Sequence, residues 1–154
     1  MLAALLPAAL FCLPAHAQRI GVFVAGSEVP GLGFAVPEGS EWCLHWRHSV
    51  TGGAVTDCFR TDRGRMVLDR SFLHDFAAGL GHVPGRGRQV AAPDGGYWIE
   101  DIDEPLPEAG LVLRVGTQEV GHRIVTPDGA EIDLSAVLAG SRVRLRLKPA
   151  AERP

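Results

Sequence analysis

The strictest hydrophobic pattern in the chain is Ser141-Arg142-Val143-Arg144-Leu145-Arg146-Leu147-Lys148. Alternation at every position predicts a strand with Val143, Leu145 and Leu147 turned inward and Arg142, Arg144, Arg146 and Lys148 turned out. The charges read as protection for an edge strand, in preference to a basic stripe for an anionic partner, because the chain as a whole is acidic, with a formal net charge of -3. Glu41 to His48 has the same period. Trp42, Leu44, Trp46 and His48 share one face, and Cys43, His45 and Arg47 share the other. Val55 to Arg60 follows the Gly52-Gly53 turn and completes a hairpin with it. Further β-type runs are Arg19 to Val24, Arg65 to Leu68, Ser71 to Phe76, Tyr97 to Glu100 and Leu111 to Val115. His122 to Thr126 and Ala130 to Leu134 flank Pro127-Asp128-Gly129, a hairpin signature. Leu134 to Ala139 has room for one helical turn or two. No longer 3.6-residue period occurs. The pattern predicts an all-β fold, an antiparallel sandwich or open barrel of about eight to ten short strands.

Composition agrees with that reading. The 154 residues include 19 glycines and 11 prolines, which punctuate the runs, and the length fits one domain. The domain is expected over residues 18–148, with a frayed tail over 149–154. Residues 1–17 hold no charged side chain. Their apolar stretch, Leu2 to Leu13, is too short to cross a bilayer, and it ends at the small-x-small pattern Ala15-His16-Ala17. These features predict a signal peptide cleaved before Gln18, a periplasmic or secreted product, and no membrane span after cleavage. The mild acidity argues against nucleic-acid binding. Lys148 is the only lysine beside the arginines, a bias that fits GC-rich coding better than phosphate binding. Removal of the signal leaves two cysteines, Cys43 and Cys58. They are candidates for a disulfide in an oxidising compartment, or else two buried thiols. A turn centred on Thr51 to Gly53 would offset them by a residue or more.

Candidate chemistry gathers at the end of the first hairpin. His48 and Ser49 close one strand, and Asp57 lies on the next. A serine, a histidine and an acid form a hydrolytic triad only if base, nucleophile and acid touch. Adjacent residues on a strand usually face apart, and no GxSxG elbow is present. The simpler expectation is a His48–Asp57 hydrogen bond that stabilises the hairpin end. His45 and His48 have odd spacing, so they diverge on a strand. A zinc or copper set from His48, His74, Asp75 and His82 is a weaker reading than scattered histidines. The stretch Phe76-Ala77-Ala78-Gly79-Leu80-Gly81-His82 lacks the context of a phosphate cradle. It reads as a glycine-rich loop that rims a pocket together with His48 and Ser49. Neither a metal nor a cofactor is expected.

Five segments in order carry a resemblance: Trp46-Arg47-His48-Ser49-Val50, Asp57, Phe76-Ala77-Ala78-Gly79-Leu80-Gly81, Asp94-Gly95-Gly96-Tyr97-Trp98, and Leu111-Val112-Leu113-Arg114-Val115-Gly116. Together they resemble the bacterial domain of unknown function 1850 family over roughly residues 20–147. The family's acidic residue after His-Ser-Val is Thr51 here, and its loop pattern is altered at Ala77-Ala78 and Gly81. The resemblance implies a small exported protein with no established activity, often encoded beside tripartite transporters with periplasmic solute receptors. It thereby implies a non-enzymatic accessory or binding protein, with a solute-binding protein or the transporter permease as partner. The binding residues expected at the strand end and the glycine-rich loop are His48, Ser49, Asp57, Phe76, Gly79 and Gly81. A small hydrolase using Ser49 and His48, and a purely structural assembly module, are the alternatives.

Overall fold

The structure, a computed structural model, describes residues 18–74 and 83–149. The expected signal peptide, the tail beyond Pro149, and Asp75, Phe76, Gly79, Gly81 and His82 lie outside the described residues. Strands are the dominant regular structure of the described residues. Thirteen strands and one short helix are described, more than the eight to ten expected, because several two- to four-residue strands escape periodicity. They form two antiparallel sheets that pack face to face, so the sandwich holds and the barrel does not.

The smaller sheet contains β1 (Gln18–Val24), β2 (Ser27–Glu28), β3 (Phe34–Val36), β10 (Leu111–Arg114) and β13 (Arg142–Lys148). The larger contains β4 (Glu41–Arg47), β5 (Ala54–Asp62), β6 (Arg65–Leu73), β7 (Arg88–Ala91), β8 (Tyr97–Glu100), β9 (Glu104–Pro105), β11 (Arg123–Val125) and β12 (Glu131–Asp133). The helix α1 (Leu134–Leu138) is a turn and a half, N-capped by Asp133, whose Oδ1 accepts from the Ala136 N–H at 2.9 Å.

Two readings of the strands are corrected. β13 follows the predicted alternation, with Val143 and Leu145 fully buried, but it pairs with β1 on one side and β10 on the other. It is therefore an inner strand, and its charges protect no edge. Arg65 to Leu68 and Ser71 onward are not separate runs. They are one strand through Leu73, joined to β5 by the two-residue turn Arg63-Gly64. Both turn residues have positive φ, 49° and 74°, the conformation of a type I′ hairpin. Asp69 is an extra residue in β6, where Cys58 pairs with Arg70 and Phe59 with Leu68. The bulge lets Leu68 and Ser71, three residues apart, both face inward.

The main core lies between the sheets. Ile20, Val22, Val143 and Leu145 from the small sheet meet Trp42, Leu44, Phe59 and Ile124 from the large one. Phe59 stacks on Trp42 with centroids 4.6 Å apart, and Phe34 meets the same ring edge-on at 5.5 Å. A second, smaller cluster of Leu73, Tyr97, Ile99 and Ile102 forms beneath β6 and β8.

Candidate functional site

The β4–β5 register decides what the first hairpin can do. Arg47 pairs with Ala54, so the connection is the six-residue loop 48–53. Its N–H groups need acceptors, and His48 supplies one. Its Nδ1 accepts from the backbone N–H groups of Val50 and Thr51, each at 3.3 Å. The His48 carbonyl accepts from Gly52 at 2.8 Å, and its N–H donates to the Gly53 carbonyl at 2.8 Å. His48 is thus the pin of a loop. Ser49 is exposed in that loop.

The same register places Cys43 directly opposite Cys58, with Cα atoms 4.1 Å apart, and the two form a disulfide on the outer face. The offset expected from a turn at Thr51 to Gly53 does not occur, because the loop is centred between Val50 and Thr51. Asp57 falls opposite Leu44 and next to Ser71 across β6. It therefore faces inward and lines the interior beside Trp46 and Ser71. The predicted His48–Asp57 bond is not made. Neither are the contacts of a Ser49–His48–Asp57 triad, since the histidine serves the loop and the acid serves the interior.

Asp57 has two other partners. The Trp46 Nε1–H donates to its Oδ2 at 3.4 Å, and the Ser71 hydroxyl donates to its Oδ1 at 2.5 Å. Trp46 packs against the main core but, unlike Trp42, is only half-buried. These three side chains sit in a cavity of ≈ 340 Å³ between the two hydrophobic clusters. Its walls include Val55, Leu73 and Ile99, and Leu111 reaches it from the small sheet. Exposed Val83 and half-buried Arg86 line it as well, and Arg86 Nε donates to Glu104 at 2.7 Å. Among the described residues, Asp57 is the sole carboxylate of the lining. The volume lies within the range of roughly 300–1,000 Å³ usual for small-molecule sites.

The back of Trp46 is held by a residue that sequence reasoning passed over. His122 lies parallel to it, with 9° between planes and centroids 5.9 Å apart. The His122 ring is nearly buried. Its Nδ1 accepts from the Gly116 N–H at 3.0 Å, the His122 backbone N–H donates to Ser135 Oγ at 2.9 Å, and that hydroxyl donates to the Gly116 carbonyl at 3.0 Å. Burial holds the imidazole below its ordinary pKa of 6.5. With Nδ1 accepting from Gly116, the neutral ring carries its proton on Nε2. The signal available in sequence was only a histidine before a strand; its stacking partner lies 76 positions away along the chain.

Among the described residues, ligands for a metal do not converge at this cavity. Among the described residues one cluster of three potential ligand groups exists, Glu41 with Cys43 and Cys58, and the disulfide ties up its two sulfurs. His45 is engaged with Thr56 Oγ1 at 2.9 Å on the outer face, and exposed His74 ends the described part of its segment.

Comparison with curated proteins and with solved structures finds no match to either. A family model does match, over residues 43–134, a span that holds the disulfide hairpin, Trp46, Asp57, Ser71 and His122. The chain belongs to the family described as Domain of unknown function (DUF1850).

Proposed function

We propose that this chain is an exported, non-enzymatic binding domain, and that its inter-sheet cavity takes a small solute with an apolar body and a protonated amine or other hydrogen-bond donor. The observation that carries this reading is the Asp57 carboxylate. A lone acid on an apolar inner face is costly to the fold unless something requires it. Here two neutral donors, Trp46 and Ser71, hold it in place without cancelling its charge. A carboxylate has about four acceptor sites, so two donors leave capacity for a bound cation or hydroxyl. The rings and aliphatic walls suit the rest of such a molecule.

Export is supported by the Cys43–Cys58 bridge, since disulfides persist in oxidising compartments. In this reading the physiological partner is the solute receptor or permease of a tripartite transporter, as the family resemblance implies. Hydrolysis by Ser49 and His48 receives no support from a histidine whose Nδ1 is occupied by its own loop.

Hexylamine, hexanol and hexanoate share one apolar body and differ in head group. At neutral pH hexylamine is expected to raise the melting temperature and shift the tryptophan fluorescence. Hexanol should do so weakly and hexanoate not at all. Asp57→Asn keeps the acceptor for Trp46 and removes the charge, so it should fold and lose the hexylamine response. An equal response to hexanoate, or a response that survives Asp57→Asn, would refute the site.

A further inference from the structure

The outer face of the small sheet gathers six cations and a single acid. Arg142, Arg144, Arg146 and Lys148 stand on β13, Arg19 beside them on β1, and Arg114 on β10. The acid is Glu28, which pairs with Lys148 at 2.5 Å. Among the described residues no carboxylate pairs with Arg114, Arg142, Arg144 or Arg146.

This array works against the fold. Arg142 is cross-strand neighbour to Arg114, and Lys148 to Arg19. Like charges in such positions destabilise a sheet. Edge protection would justify them on an outer strand, but β13 is bonded along both sides. A chain with a formal net charge of -3 thus places six of its 15 lysines and arginines on this one face, where, among the described residues, Glu28 is the only carboxylate partner and Arg144 otherwise donates to the Ala109 carbonyl at 3.2 Å.

We infer that this face docks on an anionic phospholipid surface. The cations spread over three adjacent strands, so they form a plane rather than a row. An extended acidic peptide would follow one strand and meet only part of the set, whereas a layer of headgroup phosphates meets all of it. The floor between the charges is short. Gly21 has no side chain, Phe23 lies under the Arg146 guanidinium at 5.4 Å, and Val112 is 37% exposed. The long basic stems therefore reach furthest from the sheet, and guanidinium groups pair with phosphate bidentately. Nothing on this face is apolar enough to insert deeply, so the attachment is electrostatic and yields to salt.

The test is co-sedimentation with vesicles. The wild-type chain is expected to pellet with vesicles containing phosphatidylglycerol at low ionic strength, and not with pure phosphatidylcholine. The triple variant R114Q/R142Q/R144Q, with its near-UV circular dichroism unchanged, should pellet at least about tenfold less. Salt on the wild-type chain gives the same readout without substitution, with release expected by about 0.5 M. Equal binding to both vesicle types, binding that survives salt, or full binding by the folded triple variant would overturn the inference. So would tighter binding to soluble polyglutamate than to the anionic vesicles, which would assign the face to an acidic protein instead.

Discussion

The two ends of the sandwich interior are built from similar residues and turn out differently. At one end both sheets contribute. Trp42 is clamped between Phe34 and Phe59, and Ile20, Val22, Val143 and Leu145 close over it with no exposure. At the other, the large sheet runs on through β6, β8 and β7, and the four-residue cluster around Tyr97 and Ile99 stands apart from the main core. An eight-stranded sheet facing a five-stranded one cannot be covered along its whole inner surface. The cavity arises at that seam, and the polar pair Asp57–Ser71 lies in it. A binding site thus needs no special motif here. It needs a mismatch in sheet width and one acid placed where the cover ends.

Truncation tests the contrast most strongly. Trp42→Ala removes the centre of the closed end and is expected to cost about 3–5 kcal/mol of unfolding free energy. Leu73→Ala, beside the cavity, is expected to cost about 2 kcal/mol, the low end for its type, because its neighbourhood is already open. Urea titration of both variants measures the difference, and equal losses would mean that the two ends are packed alike.

The disulfide asks whether the ends unfold together. It closes a loop with a sequence separation of 15, and removing a cross-link of that span costs about 3 kcal/mol. The double variant C43A/C58A should therefore show a lower urea midpoint and one cooperative transition by both circular dichroism and tryptophan fluorescence. Two separated transitions would show that the ends are independent units.

Acid gives the smallest expected effect, and it enters through His122 behind Trp46. The folded-state pKa of His122 lies below the ordinary 6.5, so in the window between the two values the unfolded chain binds more protons. Its contribution to stability is complete above about pH 6.5 and is lost as pH falls below that value. His45, also depressed by burial and by the nearby Arg123, acts in the same direction. Melting temperatures taken from about pH 8 down to about pH 5 should fall, and His122→Gln should flatten that decline. An unchanged slope in the variant would remove His122 from the account.

Legibility in the sequence tracked how local each feature is. The faces of β13, the hairpin of β11 and β12 around residues 127–129, and the short α1 all follow from residues close in the chain. The position of β13 inside its sheet does not, because its partners β1 and β10 come from distant segments. Asp57 stands out in the sequence, but its partners are Trp46 and Ser71 and not His48. Gly52-Gly53 fits several turn lengths, and the six-residue loop that forms is the one in which His48 caps Val50 and Thr51 and Cys43 meets Cys58. That one choice of register decides both the disulfide and the acid's inward direction. Ser71 and His122 carry no sequence signal of their own. They matter through what β6 and α1 bring beside them.

The bulge in β6 has a consequence for the open end. Asp69 pairs with no residue of β5, so a β6 lacking it could form an unbroken ladder with every remaining side chain on its present face. What the regular strand would lose is a handhold. The Asp69 carbonyl accepts the Ile102 N–H at 2.9 Å, and its carboxylate accepts from Arg60, which also reaches Asp103. The irregularity thus tethers the 101–103 segment, and with it Ile102, which closes the floor of the second cluster. A neater sheet would be a leakier vessel.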